Sequence, residues 1–122
     1  RELKQEEQGE VKKLLGDGIK QGALGLSLGL SYGHEGIATT ERLIDLCQVL
    51  KNTGGIVKIH LRSEGKGILG SINEAVRIAR EAAVPVQISH LKAIGRKAWA
   101  MLPKALNLIE GAKKTGADIS DV

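Results

Sequence analysis

Ile56-Val57-Lys58-Ile59-His60 and, thirty residues further on, Val86-Gln87-Ile88-Ser89-His90 are two short runs that each end on a histidine. Both are strand-length and largely apolar, as the strands of a parallel sheet covered by helices are. A period near thirty residues is that of one βα unit. Working outward, four such runs are expected as strands: Ala23 to Leu28, Ile56 to Leu61, Pro85 to Leu91 and Ala117 to Val122. Gly22, Gly54 with Gly55, and Gly116 each separate a helix-like stretch from the run that follows, where a helix C-cap belongs. At the third junction Pro85 follows Val84 instead.

The intervals carry helical periods. Leu43, Leu46, Cys47 and Leu50 share one face, as do Ile72, Ala75, Val76 and Ala79, and Ala105, Leu108, Ile109 and Ala112. Thr39 or Thr40 is placed to cap the first of these helices, Ser71 and Glu74 have capping-box spacing for the second, and Pro103 suits the first turn of the third. A less regular helix, interrupted by Gly16 and Gly18, is expected over Val11 to Lys20. Strict alternation of helix and strand implies right-handed crossovers and a parallel sheet. The expected fold is therefore α/β, with parallel β/α repeats amounting to about half of a TIM-like (β/α)8 barrel, since a whole one takes about 250 residues. Residues 1–122 would form one partial barrel domain. The competing open, doubly wound sheet lacks its Gly-x-Gly-x-x-Gly signature, because Gly25, Gly29 and Gly33 recur at every fourth position instead.

Composition narrows the function classes. With 122 residues, 42% hydrophobic and 26% charged, the chain fits a single globular domain. A net charge of +4, spread along the chain, with only Tyr32 and Trp99 as aromatics, argues against a nucleic-acid partner. The single cysteine, Cys47, forms no internal disulfide, and this favours a reducing, cytoplasmic setting. No apolar run approaches membrane-spanning length.

Parallel α/β proteins place their chemistry at the carboxyl ends of the strands, where His60 and His90 fall. Ends of neighbouring strands lie about 5 Å apart, so two inward imidazoles there are able to share one metal ion. A pair of hydrogen-bonded barrel histidines has the same spacing, and spacing alone leaves both readings open. Alternation along a strand points Arg62 with His60 and Lys92 with His90, as cations for a substrate carboxylate or an oxyanion. Glu64 either turns inward too or favours the next helix through its dipole. Lys58 shares the parity of His60, which would place an unpartnered lysine inside the barrel.

Gly22-Ala23-Leu24-Gly25-Leu26-Ser27, Gly29-Leu30, Tyr32, Ile59-His60-Leu61-Arg62-Ser63-Glu64-Gly65 and Val84-Pro85-Val86-Gln87-Ile88-Ser89-His90-Leu91-Lys92 together resemble the D-aminoacylase (N-acyl-D-amino-acid deacylase) family of the amidohydrolase superfamily. The resemblance implies a zinc-dependent hydrolase that cleaves the amide of a small N-acyl-D-amino acid, and it places these residues at roughly strands 4 to 7 of the barrel. It further implies that His60 and His90 are metal ligands on the fifth and sixth strands. Lys92 and Tyr32 would contact substrate or oxyanion, and Arg62 and Glu64 belong to the same motif with a substrate-binding role.

Other parts of that family's pattern have no counterpart among these residues: the His-x-His pair of the first strand, an upstream metal-binding cysteine and the general-base aspartate of the eighth strand. Cys47 lies on an apolar helix face and reads as core, Asp121 falls one strand early, and His34 reads as a solvated loop residue. The chain alone is thus expected to be inactive and to bind zinc weakly, and to self-associate through sheet edges that flank an uncovered apolar interior. Two alternatives stand beside the deacylase reading: an amidohydrolase acting on another amide or cyclic amide, and a non-catalytic half-barrel that serves in binding or assembly.

Overall fold

A computed structural model of the chain describes residues 1–121; of the expected last strand, Val122 lies outside the described residues. The elements alternate: α1 (Gln5–Lys20), β1 (Gly25–Gly29), α2 (Thr40–Cys47) continuing into a 3-10 turn (Gln48–Leu50), β2 (Ile56–His60), α3 (Ile68–Glu81), β3 (Val86–Ile88), α4 (Arg96–Trp99), α5 (Leu102–Lys114) and β4 (Ile119–Asp121). All three strand pairings are parallel, and the sheet order is sequential, β1-β2-β3-β4. An open doubly wound sheet would reverse its strand order at a switch point, and none occurs among the described residues. Right-handed crossovers in one sense of travel set the helices on one face of the sheet, as in a barrel wall.

The register shows which face the helices cover. Leu26, Val57, Val86 and Ile119 form one row across the sheet, and Leu28, Ile59, Ile88 and Asp121 another. Val57, Ile59, Val86, Ile88 and Ile119 are all buried. Against them pack Ile68, Ile72, Ala75, Ile78 and Ala79 of α3, spaced three and four apart, flanked by Leu43, Ile44 and Cys47 of α2 and Ala105, Ile109 and Ala112 of α5. The intervening row, Ser27, Lys58, Gln87 and Ser120, lies on the opposite face. Ser27, Lys58 and Ser120 are exposed there. The expected apolar interior is therefore polar, and Lys58 is solvated rather than buried. Its ammonium stays in water because β2 alternates exposed with buried positions, Ile56 and Lys58 on one face and Val57 and Ile59 on the other, a period-two pattern that the overall apolar character of the run masks.

Local signals hold in most places. The Thr39 hydroxyl accepts from the Arg42 N–H and caps α2, and Pro103 sits in the first turn of α5. α1 begins six residues earlier than its apolar period suggests, because a polar first turn precedes Val11. At the third helix–strand junction the left-handed position is taken by Ala83, at φ 54°, where glycines serve elsewhere. The capping-box reading of Ser71 and Glu74 fails. α3 starts at Ile68 with Gly67 as its N-cap, so both residues lie inside the helix. Their side chains serve tertiary contacts instead: Ser71 Oγ accepts from the Ser63 N–H at 2.8 Å, and Glu74 meets Arg62.

Candidate metal centre

His60 ends β2, and its imidazole is one quarter exposed. His90 lies two residues beyond β3 at φ 37°, so the two histidines are not placed alike. By alternation His90 would follow Ile88 into the helix layer; the left-handed backbone turns it to the mouth of the sheet instead. There the two rings meet edge to face, centroids 4.3 Å apart.

Glu64, in the loop between β2 and α3, turns inward. Its side chain is only 7% exposed, and Oε1 lies 3.1 Å from His90 Nδ1 and 3.5 Å from His60 Nε2. Lys92 Nζ stands 3.6 Å from Oε2. The loop is held to the segment after β3 by the Ile94 N–H, which donates to the Glu64 carbonyl at 2.7 Å. Oε1 is buried with no hydrogen-bond partner of its own. Ligand atoms of His60, Glu64 and His90 all lie within 4.8 Å of one another. An orphaned carboxylate oxygen beside two imidazoles is a donor set that fits zinc or a similar divalent cation.

An open cleft above the imidazoles is lined by Gly29, Tyr32, Glu35, His60, Ser89 and His90, together with Ser27 and Leu28. The Tyr32 ring is 5.5 Å from that of His60. Gly29 makes room for it: a Cβ there would clash with Cδ2 and Cε2 of the Tyr32 ring. Glu35, which the sequence reading passed over, accepts a hydrogen bond from the Gly29 N–H and fixes this rim. No spacing signal marks Glu35, since it lies in an irregular loop.

Arg62 is turned away from the cluster. Its Nε and Nη2 donate to the two oxygens of Glu74 at 3.0 and 2.9 Å, Nη1 donates to the Gly36 carbonyl at 2.6 Å, and Nη2 also to that of Ala38 at 2.8 Å. Alternation ceases at the end of β2, so sharing parity with His60 does not bring Arg62 into the cleft. His34 is exposed in the loop after β1, and Cys47 is wholly buried in α2, where burial pushes its thiol up to about 12.

Parallel strands in sequential order, with imidazoles and a carboxylate gathered at their carboxyl ends, are the parts of a β/α-barrel wall of amidohydrolase type. Comparison with known proteins narrows this class. The chain is 39% identical over 107 residues to the D-aminoacylase of Alcaligenes xylosoxydans xylosoxydans, covering 88% of this chain and 22% of that protein. It is 34% identical over 110 residues to the N-acyl-D-aspartate deacylase of the same organism, again 22% of the relative's length. A solved D-aminoacylase, representing a novel subset of amidohydrolases, superposes with TM-score 0.93 at 36% identity over 99% of this chain and 25% of its own. The N-acyl-D-glutamate deacylase of Bordetella bronchiseptica shares the fold, with TM-score 0.93 at 24% identity over 98% of this chain and 25% of its own. No family model matches the chain. Over nearly nine-tenths of its length the chain is similar to D-aminoacylases and related N-acyl-D-amino-acid deacylases, and it spans about a fifth of the length of the curated relatives it matches.

Proposed function

We propose that these residues form part of the catalytic barrel of a metal-dependent hydrolase that cleaves the amide of an N-acyl-D-amino acid, releasing a carboxylate and the free D-amino acid. The observation that carries this reading is the meeting of His60 and His90, from neighbouring β/α units, at the mouth of the sheet. It is supported by the named activities of the relatives. His60 and His90 would hold the metal, zinc by the nature of the donors. When bound, zinc activates water and polarises a carbonyl.

The protein's own groups do the rest. Tyr32, at the rim of the cleft, and Lys92, half exposed beside Glu64, are positioned to contact substrate or to neutralise the oxygen on which charge develops. The guanidinium of Arg62 is engaged by Glu74 and two carbonyls, so its part in this reading is to brace the loop that carries Tyr32 and Glu35. The open edges of β1 and β4 would be paired, either by further strands of a longer chain or by self-association. None of the helices in the described residues is long and apolar enough to cross a membrane, and a lone buried thiol suits a reducing cytoplasm.

The test is deacylation of N-acetyl-D-methionine, followed by release of the free amine. The chain alone should give no turnover, with or without zinc. Expressed within its longer coding sequence it should turn over, and His60→Ala or His90→Ala should abolish the activity. Full activity in both variants would refute the assignment.

A further inference from the structure

We propose that Glu35 is a specificity-determining residue: its carboxylate makes the cleft reject an N-acyl-D-amino acid whose side chain carries a negative charge, in favour of one that is neutral or cationic. This rests on the deacylase reading of the site. Glu35 lines the same cleft as Tyr32 and the two imidazoles, and among the residues that line it Glu35 is the sole acid. No lysine or arginine neutralises it. Among the described residues the one basic group within ion-pair distance is His34, whose Nε2 lies 3.5 Å from Oε1, and that exposed imidazole carries charge only when protonated.

The carboxylate is also held in place. Oε2 accepts from the Gly29 N–H, and Gly29 is the register partner of His60, so the acid is fastened to the strand end beside the imidazole. Its backbone carbonyl accepts from the Ala38 N–H at 3.1 Å, and Arg62 holds the next carbonyl, that of Gly36. A side chain fastened in this way cannot swing clear of an incoming anion without breaking these bonds. Lys92 belongs to the other side: it follows β3, whereas Glu35 is bonded to β1, and β2 with His60 lies between them. With neighbouring strands about 5 Å apart, the imidazole pair has a cation on its β3 side and an anion on its β1 side. An α-carboxylate is drawn toward Lys92, which leaves the rest of the substrate to Glu35. The cleft holds about 310 Å³, so a second carboxylate inside it comes within a screening length of about 10 Å. The Glu35 side chain is 37% exposed, which sets an intermediate effective dielectric; repulsion at such a distance then amounts to about 10-fold after screening.

N-acetyl-D-glutamine and N-acetyl-D-glutamate have nearly the same shape and differ by one charge. The ratio of their kcat/KM values, measured at about pH 7.5 on the protein expressed within its longer coding sequence, therefore isolates charge. The amide should be preferred by about 10-fold. Glu35→Gln keeps an acceptor for the Gly29 N–H and removes the charge, and it should bring the ratio close to one; any general loss cancels. The parent's preference should also shrink as salt is raised from about 0.05 to about 0.5 M. A parent that prefers glutamate, a ratio that Glu35→Gln leaves unchanged, or a preference that salt does not alter would overturn the proposal, and the salt series decides even if the variant fails to fold. Where neither compound is hydrolysed, calorimetric binding gives the same ratio. Binding with this charge preference but no turnover refutes the deacylase reading and leaves the Glu35 assignment standing. Turnover without the preference does the reverse, and binding of neither compound refutes both.

Discussion

Replacing Arg62 with alanine tests whether this residue braces the fold or waits for substrate. Its guanidinium is 31% exposed and the Glu74 carboxylate 9%, so the pair is closer to a buried bridge than to a surface one. The bonds to Gly36 and Ala38 tie the entrance of α2 to α3 through the same side chain. Removing one partner of a buried pair costs about 3–5 kcal/mol, chiefly because the other charge is left uncompensated. Water reaches a third of this guanidinium, and the Thr40 hydroxyl still donates to Glu74 Oε2 at 2.6 Å, so the lower end applies, about 3 kcal/mol.

Urea denaturation of the parent and Arg62→Ala measures this directly. With a slope of about 1.5 kcal/mol/M, the midpoint should fall by about 2 M. Because the loss comes from a stranded carboxylate, Arg62→Met with Glu74→Met should be less destabilised than Arg62→Ala alone. The loop over residues 30–39 should also become more open to proteolysis in Arg62→Ala. A midpoint within experimental error of the parent would refute the brace. An unchanged midpoint combined with weakened binding of an N-acyl-D-amino acid by the longer protein would return Arg62 to the substrate.

Cys47, fully buried and with its thiol pushed up to about 12 by burial, should react with a disulfide reagent at pH 8 only as fast as the protein opens. Rapid labelling without denaturant would contradict that placement. Ala83→Gly should raise stability by about 0.5–1 kcal/mol: a left-handed alanine costs about 1–2 kcal/mol, of which glycine's greater freedom in the unfolded chain takes back about 0.4–1 kcal/mol. Equal or lower urea midpoints would show that φ 54° is not strained. The Lys12 ammonium, and after it the Gln8 amide, hold the Asp45 carboxyl below its ordinary value. A depressed carboxylate contributes stability above its unfolded value and loses it as pH falls through the folded one. Asp45→Asn should therefore cost about 0.5 kcal/mol at pH 7, small because both partners are over a third exposed to water, and nothing at acid pH once the parent's carboxyl is protonated. A difference that survives at low pH would mean that shape, not charge, carries the contact.

What was legible in the sequence is what repeats locally. Strands and helices alternate where short, largely apolar runs give way to apolar periods of three to four residues, and Thr39, Pro103 and the junction glycines act within a turn of the chain. Ser71 and Glu74 show where this fails. They have the spacing of a cap, yet Ser71 is bound by the Ser63 N–H and Glu74 by Arg62, partners that belong to the preceding loop and that no spacing rule names.

The same limit governs the site. Side-chain direction follows from alternation only while the backbone stays extended, and β2 ends at His60 and β3 at Ile88. Arg62, Glu64, His90 and Lys92 all lie beyond those ends. Read by parity, Arg62 belongs with His60 in the mouth and His90 with Ile88 in the core; each goes the other way, one drawn off by Glu74 and the other turned by a left-handed backbone. In the sequence Glu64 is an acid four residues after a histidine, as well placed to favour the next helix as to turn inward. Its place between two imidazoles depends on the register that sets Ile59 beside Ile88, a property of the paired strands rather than of either one. Motif resemblance therefore located these residues, and strand pairing with the two loops decided what each of them faces.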